Sequence, residues 1–510
     1  MVFRPTSTLL TPMLPAALLA ALLAGCTTAG KDYAGPPAAT QAAAFARAGG
    51  AADSTNPVQV LARWWPALGD ATLDGLVDAA LRANPNLGVA RARLRQARAA
   101  LGTERANGRP NGQATAMAAH VRLPPLGDAL GTGGVGADGG AGGEGGQGGS
   151  FAVPSSLNLY SVGFDATWEI DLFGGRRRAV EAAGAAAEAA EAQLADAQLS
   201  LTAEVASAYI NLRSVQQRIA LSDAAIARQQ RMLELTARRV QAGTASQLDL
   251  TRLQGQLEST RAESEPLLSQ LDAYRDELAT LAGLAPGALD AQLAAAAPVP
   301  LPPASVATGD PAEMLKRRPD IRAAERTLAA RSAQVGQADA ARFPRLTLLG
   351  LIGIGGTHPS DLTHLDDFSA IAAPQLSWNF LDFGRNAARI EQAEGVRDEA
   401  EAQYRVAVLG ALRDAEGALS RFKQRRATVA TIARAKAAAD HATELMAARQ
   451  KAGTASLIDL LDTERQQIEA EQNLAQAQAA LTGEFVALHK ALGLGWQAEN
   501  TPTPAPAGAP

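Results

Sequence analysis

The segment Trp168-Glu169-Ile170-Asp171-Leu172-Phe173-Gly174-Gly175-Arg176 occurs a second time, with changes, as Trp378-Asn379-Phe380-Leu381-Asp382-Phe383-Gly384-Arg385. The Trp, Phe and Gly of the two copies share one numbering offset, 378 − 168 = 210. The segment 242–246, Ala-Gly-Thr-Ala-Ser, recurs at the same offset as 452–456. A constant offset of this kind indicates an internal duplication in which each copy is one structural unit. The chain of 510 residues therefore consists of two similar halves.

The first half carries an insertion. Asn84-Pro85 matches Arg318-Pro319, and Pro110 matches Pro344, both at a larger numbering offset, 344 − 110 = 234. The first half is thus longer between Pro110 and Trp168, by the difference between the two offsets (234 − 210). The segment 131–150 is nearly all glycine, and such a segment cannot bury enough apolar surface to order itself. Because no Gly-Lys-Ser/Thr follows, we predict a loop extension and not a phosphate-binding loop.

Each half is predicted to begin with a short helix (Leu73 to Ala83; Pro311 to Arg317) that ends at the Asn-Pro or Arg-Pro pair. A second helix follows, to about Glu104 or Asp339, and two strand-like segments come next. Residues 113–123 and 157–170 are predicted to form the first hairpin, and residues 345–356 and 368–381 the second. Residues alternate between the two faces of a strand, and here apolar and polar residues alternate too. The more apolar faces of the first hairpin hold Thr115, Met117, Ala119, Val121 and Leu123 in one strand and Tyr160, Val162, Phe164, Ala166, Trp168 and Ile170 in the other. This alternation is typical of membrane β-strands, and a hairpin on a soluble domain is the alternative.

A very long helix follows each Phe-Gly pair. Residues 176–242 and 385–452 contain no proline. About 65 helical residues span roughly 100 Å. Apolar residues recur at intervals of three, four and seven along the first of these helices, which predicts coiled-coil packing. Gly243 and Gly453 suit helix C-caps and Ser246 and Ser456 suit the next N-caps, so each long helix heads a helical hairpin.

The N-terminus predicts a secreted protein. A short start with one charge and an apolar run end on Leu23-Ala24-Gly25-Cys26, so residues 1–25 are predicted to be a signal peptide. This ending resembles a bacterial lipobox, which implies S-diacylglycerol and N-acyl groups on Cys26. Thr27, rather than Asp, follows the cysteine, which resembles lipoproteins that are released to the outer membrane. Cys26 is the one cysteine of the chain, so no disulfide framework is expected.

These boundaries divide the chain into six regions. They are a signal peptide (1–25), a lipidated extended segment (26–65), repeat 1 (66–282), a Pro/Ala-rich linker (283–310), repeat 2 (311–495) and a disordered tail (496–510).

Composition argues against several functions. The net charge of −5 gives no basic surface for nucleic acid. After Cys26 the sequence contains no run of eighteen apolar residues, so no transmembrane helix is expected. None of the five histidines has metal-ligand spacing, and no nucleotide-binding or hydrolase motif has a credible context. We therefore predict no enzyme activity, no catalytic residue, no metal site and no cofactor other than the covalent lipid.

The chain resembles the outer membrane factor family, and within it the NodT-type lipoproteins of resistance-nodulation-division efflux systems. The resemblance rests on the lipobox, the two halves, the Trp…Phe-Gly junctions and the Ala-Gly-Thr-Ala-Ser turns, and it covers essentially the whole mature chain. Four strands cannot close a membrane barrel alone, because sheet edges are not tolerated in lipid. The resemblance implies a mainly α protein with a membrane β portion. It would assemble as a homotrimer with a 12-stranded β-barrel in the outer membrane and a periplasmic α-barrel.

The resemblance also implies partners. The expected partners are a periplasmic adaptor protein, an inner-membrane pump that supplies the energy, and outer-membrane lipids. The expected role is a passive exit duct for drugs or other small toxic compounds, and hence multidrug resistance. Two alternatives remain: a duct for type I protein secretion with the same fold, and a coiled-coil scaffold lipoprotein of the envelope.

In this family polar contacts and a ring of acidic residues close the periplasmic end just after the second turn. The matching residues here are Asp459, Asp462, Ile458, Arg449 and Arg465. The alternative is that Asp459 only caps a helix and that Asp462 is only solvated. Gln450 stands where the family often has Tyr, so this chain departs from the family's pattern at one position of the closure. The turns are expected to contact the adaptor, although a purely structural turn also explains them; their residues are Gly243, Thr244, Ser246, Gly453, Thr454 and Ser456.

Overall fold

A computed structural model describes residues 28–38, 44–47, 52–53, 63–122, 156–304, 306–364, 366 and 368–496. Several predicted features lie outside these residues: the signal peptide, the lipid-modified Cys26, the Gly-rich loop 131–150 and all but the first residue of the tail 496–510.

The described part of the chain contains eight α-helices. They are α1 (Ala71–Ala83), α2 (Pro85–Asn107), α3 (Gly175–Gln241), α4 (Gln247–Leu281), α5 (Pro311–Arg317), α6 (Pro319–Ala340), α7 (Arg385–Lys451) and α8 (Leu457–Ala491). The two long helices α3 and α7 each have 67 residues, whereas α4 and α8 each have 35. Asp70 caps α1, and Asp310 caps α5, by accepting hydrogen bonds from the first turn of the helix. The duplication predicted from the sequence is thus present element by element.

Six strands form two sheets among the described residues. They are β1 (Ala52–Asp53), β2 (Asn111–Arg122), β3 (Ser156–Ile170), β4 (Val306–Ala307), β5 (Arg345–Gly356) and β6 (Phe368–Ser377). β1 and β4 pair in parallel, and the larger antiparallel sheet has the order β2-β3-β5-β6. The prediction that the last strand reaches residue 381 is wrong. Ser377 pairs with Arg345, the first residue of β5, so the following residues have no strand beside them in the sheet.

Contacts divide the chain into two compact units, and each unit draws on both halves of the sequence. The first unit combines residues 100–183 and 331–395 with the N-terminal residues up to 33. Its centre is the four-stranded sheet, where Phe164 pairs with Ala114 on one side and Ile352 on the other. Apolar side chains therefore continue across one face, and half of Phe164 and of Ile352 is exposed (51% and 50%).

The opposite face of the sheet is more polar. Thr115 and Asp165 lie on it, and the Thr115 hydroxyl donates to the Asp165 carboxylate over 3.1 Å. Met117, opposite Ser161 in the register, lies on this same face. The two faces that looked apolar in β2 and β3 taken singly therefore do not coincide in the sheet. The reason is the register, since a shift of one residue reverses which face every side chain of a strand occupies.

The two signature tryptophans close the bases of their hairpins in the same way. The indole NH of Trp168 donates to the Gly108 carbonyl at 3.2 Å. The indole NH of Trp378 donates to the Arg342 carbonyl at 3.0 Å. Gly108 and Arg342 are equivalent positions, since each lies two places before the matched proline of its half. The repeat inferred from letters is therefore also a repeat of contacts.

The second unit contains residues 34–99, 184–330 and 396–510. Its core includes Trp64, Tyr209 and Phe485, each with at most 1% of its surface exposed. The apolar residues that recur along α3 at intervals of three, four and seven form a heptad stripe. This stripe is fully buried at Leu194, Leu201, Val205, Ala208, Leu212 and Val215. It is only half-buried from Ile219 to the end of the helix. Helix packing in this unit is therefore tightest away from the turn at Gly243.

A buried polar network joins α3 to the region predicted as a linker. The Tyr209 hydroxyl donates to Asp70 at 2.6 Å and accepts from Nε of Arg213 at 2.9 Å. Arg213 also donates to the Ala295 carbonyl at 2.7 Å, and Gln216 donates to the Leu293 carbonyl at 2.7 Å. Burial and the bond to Asp70 raise the pKa of Tyr209 to about 12. The segment between the halves is therefore packed into the core, which its composition did not predict.

No helix among the described residues is both long and apolar enough to cross a membrane.

Candidate functional site

The first turn between helices is a tight C-cap. Gly243 has a φ of 70°, a left-handed conformation that glycine adopts without steric cost. Its NH donates to the Val240 carbonyl at 3.0 Å, and the NH of Thr244 donates to the Arg239 carbonyl at 2.8 Å. These two bonds satisfy carbonyl groups that the end of α3 leaves open. Ser246 then caps α4 by accepting from the NH of Leu248 at 3.1 Å.

The second turn repeats this geometry. Gly453 has a φ of 73°, and its NH donates to the Gln450 carbonyl at 3.0 Å. The NH of Thr454 donates to the Arg449 carbonyl at 2.9 Å, and its hydroxyl donates to the same atom at 3.1 Å. Gly243, Thr244, Gly453 and Thr454 are all exposed. The residues predicted to contact an adaptor thus form two surface turns of the same shape.

The helices that leave the turns are capped differently. Ser456 and Asp459 form a capping box: the Ser456 Oγ accepts from the NH of Asp459 at 3.2 Å, and the Asp459 carboxylate accepts from the NH of Ser456 at 3.1 Å. Hydrogen bonds from Ser456 lower the pKa of Asp459, and the charge of Arg449 lowers it further. The carboxylate of Asp459 therefore stabilises the start of α8, as its capping alternative predicts.

Asp462 lies one turn further along α8 and is more available. Its carboxylate accepts from Arg465 at 2.9 Å and from Gln466 at 2.9 Å, and 56% of the side chain is exposed. Arg465 also bonds Glu469, so it lies between two acidic groups. Ile458 is a large apolar residue at the start of the same helix and is 41% exposed. The predicted acidic and apolar groups therefore stand close together on the first turns of α8.

A cleft of about 170 Å³ brings these residues together with α3 and α4. Its walls come from all three helices: Ala225, Arg228, Gln229, Asp249, Arg252, Leu253, Gln256, Leu457, Ile458, Leu461, Asp462, Glu464, Arg465 and Ile468. The start of α8 thus faces the helical hairpin that α3 and α4 form in the same chain. The cleft mixes apolar walls with both signs of charge.

Four charged residues of the cleft were not predicted as site residues: Arg228, Asp249, Arg252 and Glu464. Arg228 lies on α3, Arg252 lies on α4, and Glu464 lies on α8. Burial raises the pKa of Glu464, and the charge of Arg228 opposes that rise. The duplication could have indicated Asp249, which is the counterpart of Asp459. For Arg228 no such signal exists, since residue 438 at the equivalent position is alanine.

Within the described ranges no group of three or more His, Cys, Asp or Glu side chains is arranged to hold a metal ion.

Comparisons with known proteins agree with this architecture. The model of the outer membrane efflux protein family matches residues 76–284 and 311–494, one match in each half. Nodulation protein T of Rhizobium leguminosarum bv. viciae is 31% identical over 96% of this chain and 95% of its own length. The pyoverdine export outer membrane protein OpmQ of Pseudomonas putida is 31% identical over 86% of this chain and 89% of its own.

The solved structure of the outer-membrane channel OprN is 33% identical to this chain. It covers 92% of this chain and 99% of its own, with a TM-score of 0.80. The mainly helical fold with a small antiparallel sheet is therefore that of outer-membrane efflux channels. The family matches in both halves and the similarity over nearly the whole length together show that this chain belongs to the outer membrane efflux protein family.

Proposed function

We propose that this chain is the passive outer-membrane exit duct of a tripartite efflux pump for drugs or other small toxic compounds. One observation carries the proposal: each half joins an open membrane-type hairpin to a 67-residue helix that turns back at an exposed tip. A channel needs both parts, because one must cross the membrane and the other must reach toward a partner. No catalytic step is part of this function, since the inner-membrane pump supplies the energy.

The sheet supports assembly from several copies. β2 and β6 are its outer strands, and among the described residues each has one edge without a neighbouring strand. Unpaired backbone groups at such an edge are costly in lipid. Three copies joined edge to edge would give twelve strands and leave no edge. The apolar face with Phe164 and Ile352 would then meet lipid, and the face with Thr115 and Asp165 would line the lumen.

The first turns of α8 support a gate. In a trimer, three copies of Asp462 would surround the axis, each beside an Arg465, with Ile458 as an apolar constriction. Asp459 contributes less to this gate than its spacing from Asp462 predicts, because its carboxylate already binds the cap at Ser456. Arg449 contributes near the gate in two ways. Its positive charge lowers the pKa of Asp459, and its carbonyl accepts a hydrogen bond from the NH of Thr454 at the turn.

The two turns are the proposed docking surface for a periplasmic adaptor. They share five residues and nearly the same backbone hydrogen bonds, and their tips are exposed. An adaptor could therefore use one recognition mode at both turns. Lipid groups on Cys26 would hold the assembled duct to the outer membrane, which makes outer-membrane lipids a further partner.

Relatives named for efflux or export of small molecules, among them pyoverdine and toluene, support the proposed substrate class. A deletion strain tests it. Loss of the gene should raise cellular accumulation of a fluorescent efflux dye, and the intact gene should restore the low level. Unchanged dye accumulation with loss of a protein from the culture medium would instead favour type I secretion. No change in either would favour an envelope scaffold.

A further inference from the structure

The two strand-to-helix junctions have diverged in what they bind. In the first junction Phe173 and Gly174 are followed by Arg178, and in the second Phe383 and Gly384 are followed by Ala388, the equivalent position of the repeat. Only the first junction has residues 28–32 packed against it among the described residues. These residues lie directly behind the lipobox cysteine, so the difference concerns the attachment of the N-terminus.

Arg178 recognises the backbone of that N-terminal segment. Only 4% of its side chain is exposed. It donates from Nε to the Ala29 carbonyl at 3.2 Å and from Nη2 to the Gly30 carbonyl at 3.1 Å. It also forms ion pairs with Asp32 at 2.7 Å and Glu181 at 2.7 Å. A buried guanidinium requires such partners, and three of the four come from the N-terminal segment.

Two glycines make room for the same segment. A Cβ on Gly174 would lie 2.2 Å from Cγ2 of Thr28, and a Cβ on Gly30 would lie 2.5 Å from Cα of Gly336. The NH of Ala29 donates to the Phe173 carbonyl at 2.9 Å. Glycine at these positions therefore permits a close approach of two backbones, one of the recognised uses of the residue.

The second junction has the glycines without the contacts. Gly384 is the counterpart of Gly174, and Gly102 is the counterpart of Gly336, at the same offset that relates Pro110 to Pro344. A Cβ at either position meets no described atom within 4 Å. Gly174 and Gly384 nevertheless share a left-handed φ of 82° and 85°. The backbone turn is thus common to both halves, whereas the docked segment is specific to the first.

We propose that Gly174, Arg178 and Gly336 form a docking site for the chain's own residues 28–32, and that this site fixes the membrane anchor at the first junction. Calling the segment an anchor rests on the proposed lipid attachment; the docking does not. Cys26 precedes Thr28 by two residues in the sequence, so docking of residues 28–32 bears on the proposed anchor. Arg178 is a positioning residue in this arrangement.

A lysine-specific protease tests the docking, because Lys31 is an exposed residue within the segment. The full-length protein in detergent is digested, and mass spectrometry follows the release of the peptide that ends at Lys31. We expect Arg178→Ala and Gly174→Ala to raise the release rate about tenfold or more, because cleavage follows the population of the undocked segment. Cleavage at Lys451 serves as an internal reference and should not change.

The duplication supplies matched controls. Gly384→Ala introduces the same left-handed strain as Gly174→Ala without a clash, and Arg177→Ala removes an adjacent, 60% exposed arginine. If Arg178→Ala does not fold, Gly336→Ala displaces the same arginine, because a Cβ on Gly336 would lie 2.9 Å from Nε of Arg178. Its control is Gly102→Ala, whose Cβ meets no described atom within 4 Å. Equal release rates in the variants and their controls would overturn the proposal. A released peptide that lacks acyl groups would refute the lipid anchor alone, since the rates still report docking.

Discussion

The turns at Gly243 and Gly453 and the junctions at Gly174 and Gly384 are products of the same duplication, and they have diverged to different degrees. The turns keep five identical residues and the same backbone hydrogen bonds. The junctions keep the left-handed glycine, but only one of them binds the N-terminal segment. At these four positions the backbone conformation has therefore been retained, while side-chain partners have changed around it.

The largest expected effect compares two equivalent core positions. Tyr209 and Leu419 occupy the same place in the two halves and are both buried, at 0% and 4% exposure. Leu419→Ala should lower the free energy of unfolding by about 2–5 kcal/mol, because it leaves a cavity. Tyr209→Phe should lower it by about 1–3 kcal/mol, because Arg213 and Asp70 lose a buried partner. Denaturant unfolding followed by circular dichroism measures both. A Tyr209→Phe variant as stable as the wild type would show that the polar network does not stabilise the first half.

The next expected effect is a pH dependence of stability that comes from a histidine of the second half. His489 lies 5.1 Å from the Trp64 ring and 4.1 Å from the Phe485 ring, and burial lowers its pKa to about 4. The unfolded chain therefore binds a proton near pH 6.5 that the folded protein binds only near pH 4. Stability is fully present above pH 6.5 and falls by roughly 3 kcal/mol as the pH drops to 4.

The counterpart of His489 in the first half is Ala279, which cannot titrate. The variant His489→Leu should therefore lose this contribution to the pH dependence of stability. Denaturant midpoints of both proteins between pH 7 and pH 4 test this. Parallel curves for wild type and variant would contradict the assignment.

The smallest expected effect compares the stability costs of removing the two N-cap serines, Ser246 and Ser456. Ser246→Ala removes one hydrogen bond to the Leu248 NH and should cost about 1 kcal/mol. Ser456→Ala should cost more, because Asp459 also loses the hydrogen bond from the Ser456 hydroxyl. The pKa of Asp459 should then rise toward its usual value, which NMR titration of the carboxyl group detects. In the wild type the lowered pKa contributes stability above pH 4 that is lost as the carboxylate becomes protonated. Equal costs at both serines would show that the capping box has no effect beyond the single bond.

Local sequence signals predicted the helices well. Pro85 and Pro319, and the glycines at 243 and 453, determine helix ends through backbone constraints of one residue, so the predicted ends differ from the structure by only a few residues. The hairpins were also found, because alternation is a local pattern. The end of β6 was not, since it depends on where the partner strand begins.

Contacts between distant residues could not be predicted from local patterns. Strand register determines which face of β2 lies beside Asp165. In the observed register Met117 lies on the same, more polar face as Asp165. The packing of Leu293 under Gln216 and the docking of Ala29 on Arg178 join residues 77 and 149 positions apart. For the candidate gate, Asp462 and Arg465 were predicted from the resemblance to the family, which has its acidic ring just after the second turn. Arg228 and Arg252 were not, because they reach the cleft from another hairpin.

The central claim is that the chain forms a gated duct, and planar-bilayer recording of the purified, lipidated protein tests it most directly. The wild type should insert as a trimer and conduct weakly, because the proposed acidic gate would be closed. Asp462→Ala should conduct more, since Arg465 loses a partner at the gate, whereas Asp249→Ala, in the first half, should change conductance less. If neither the wild type nor Asp462→Ala forms a trimer or a pore, the account of this protein as a duct is contradicted.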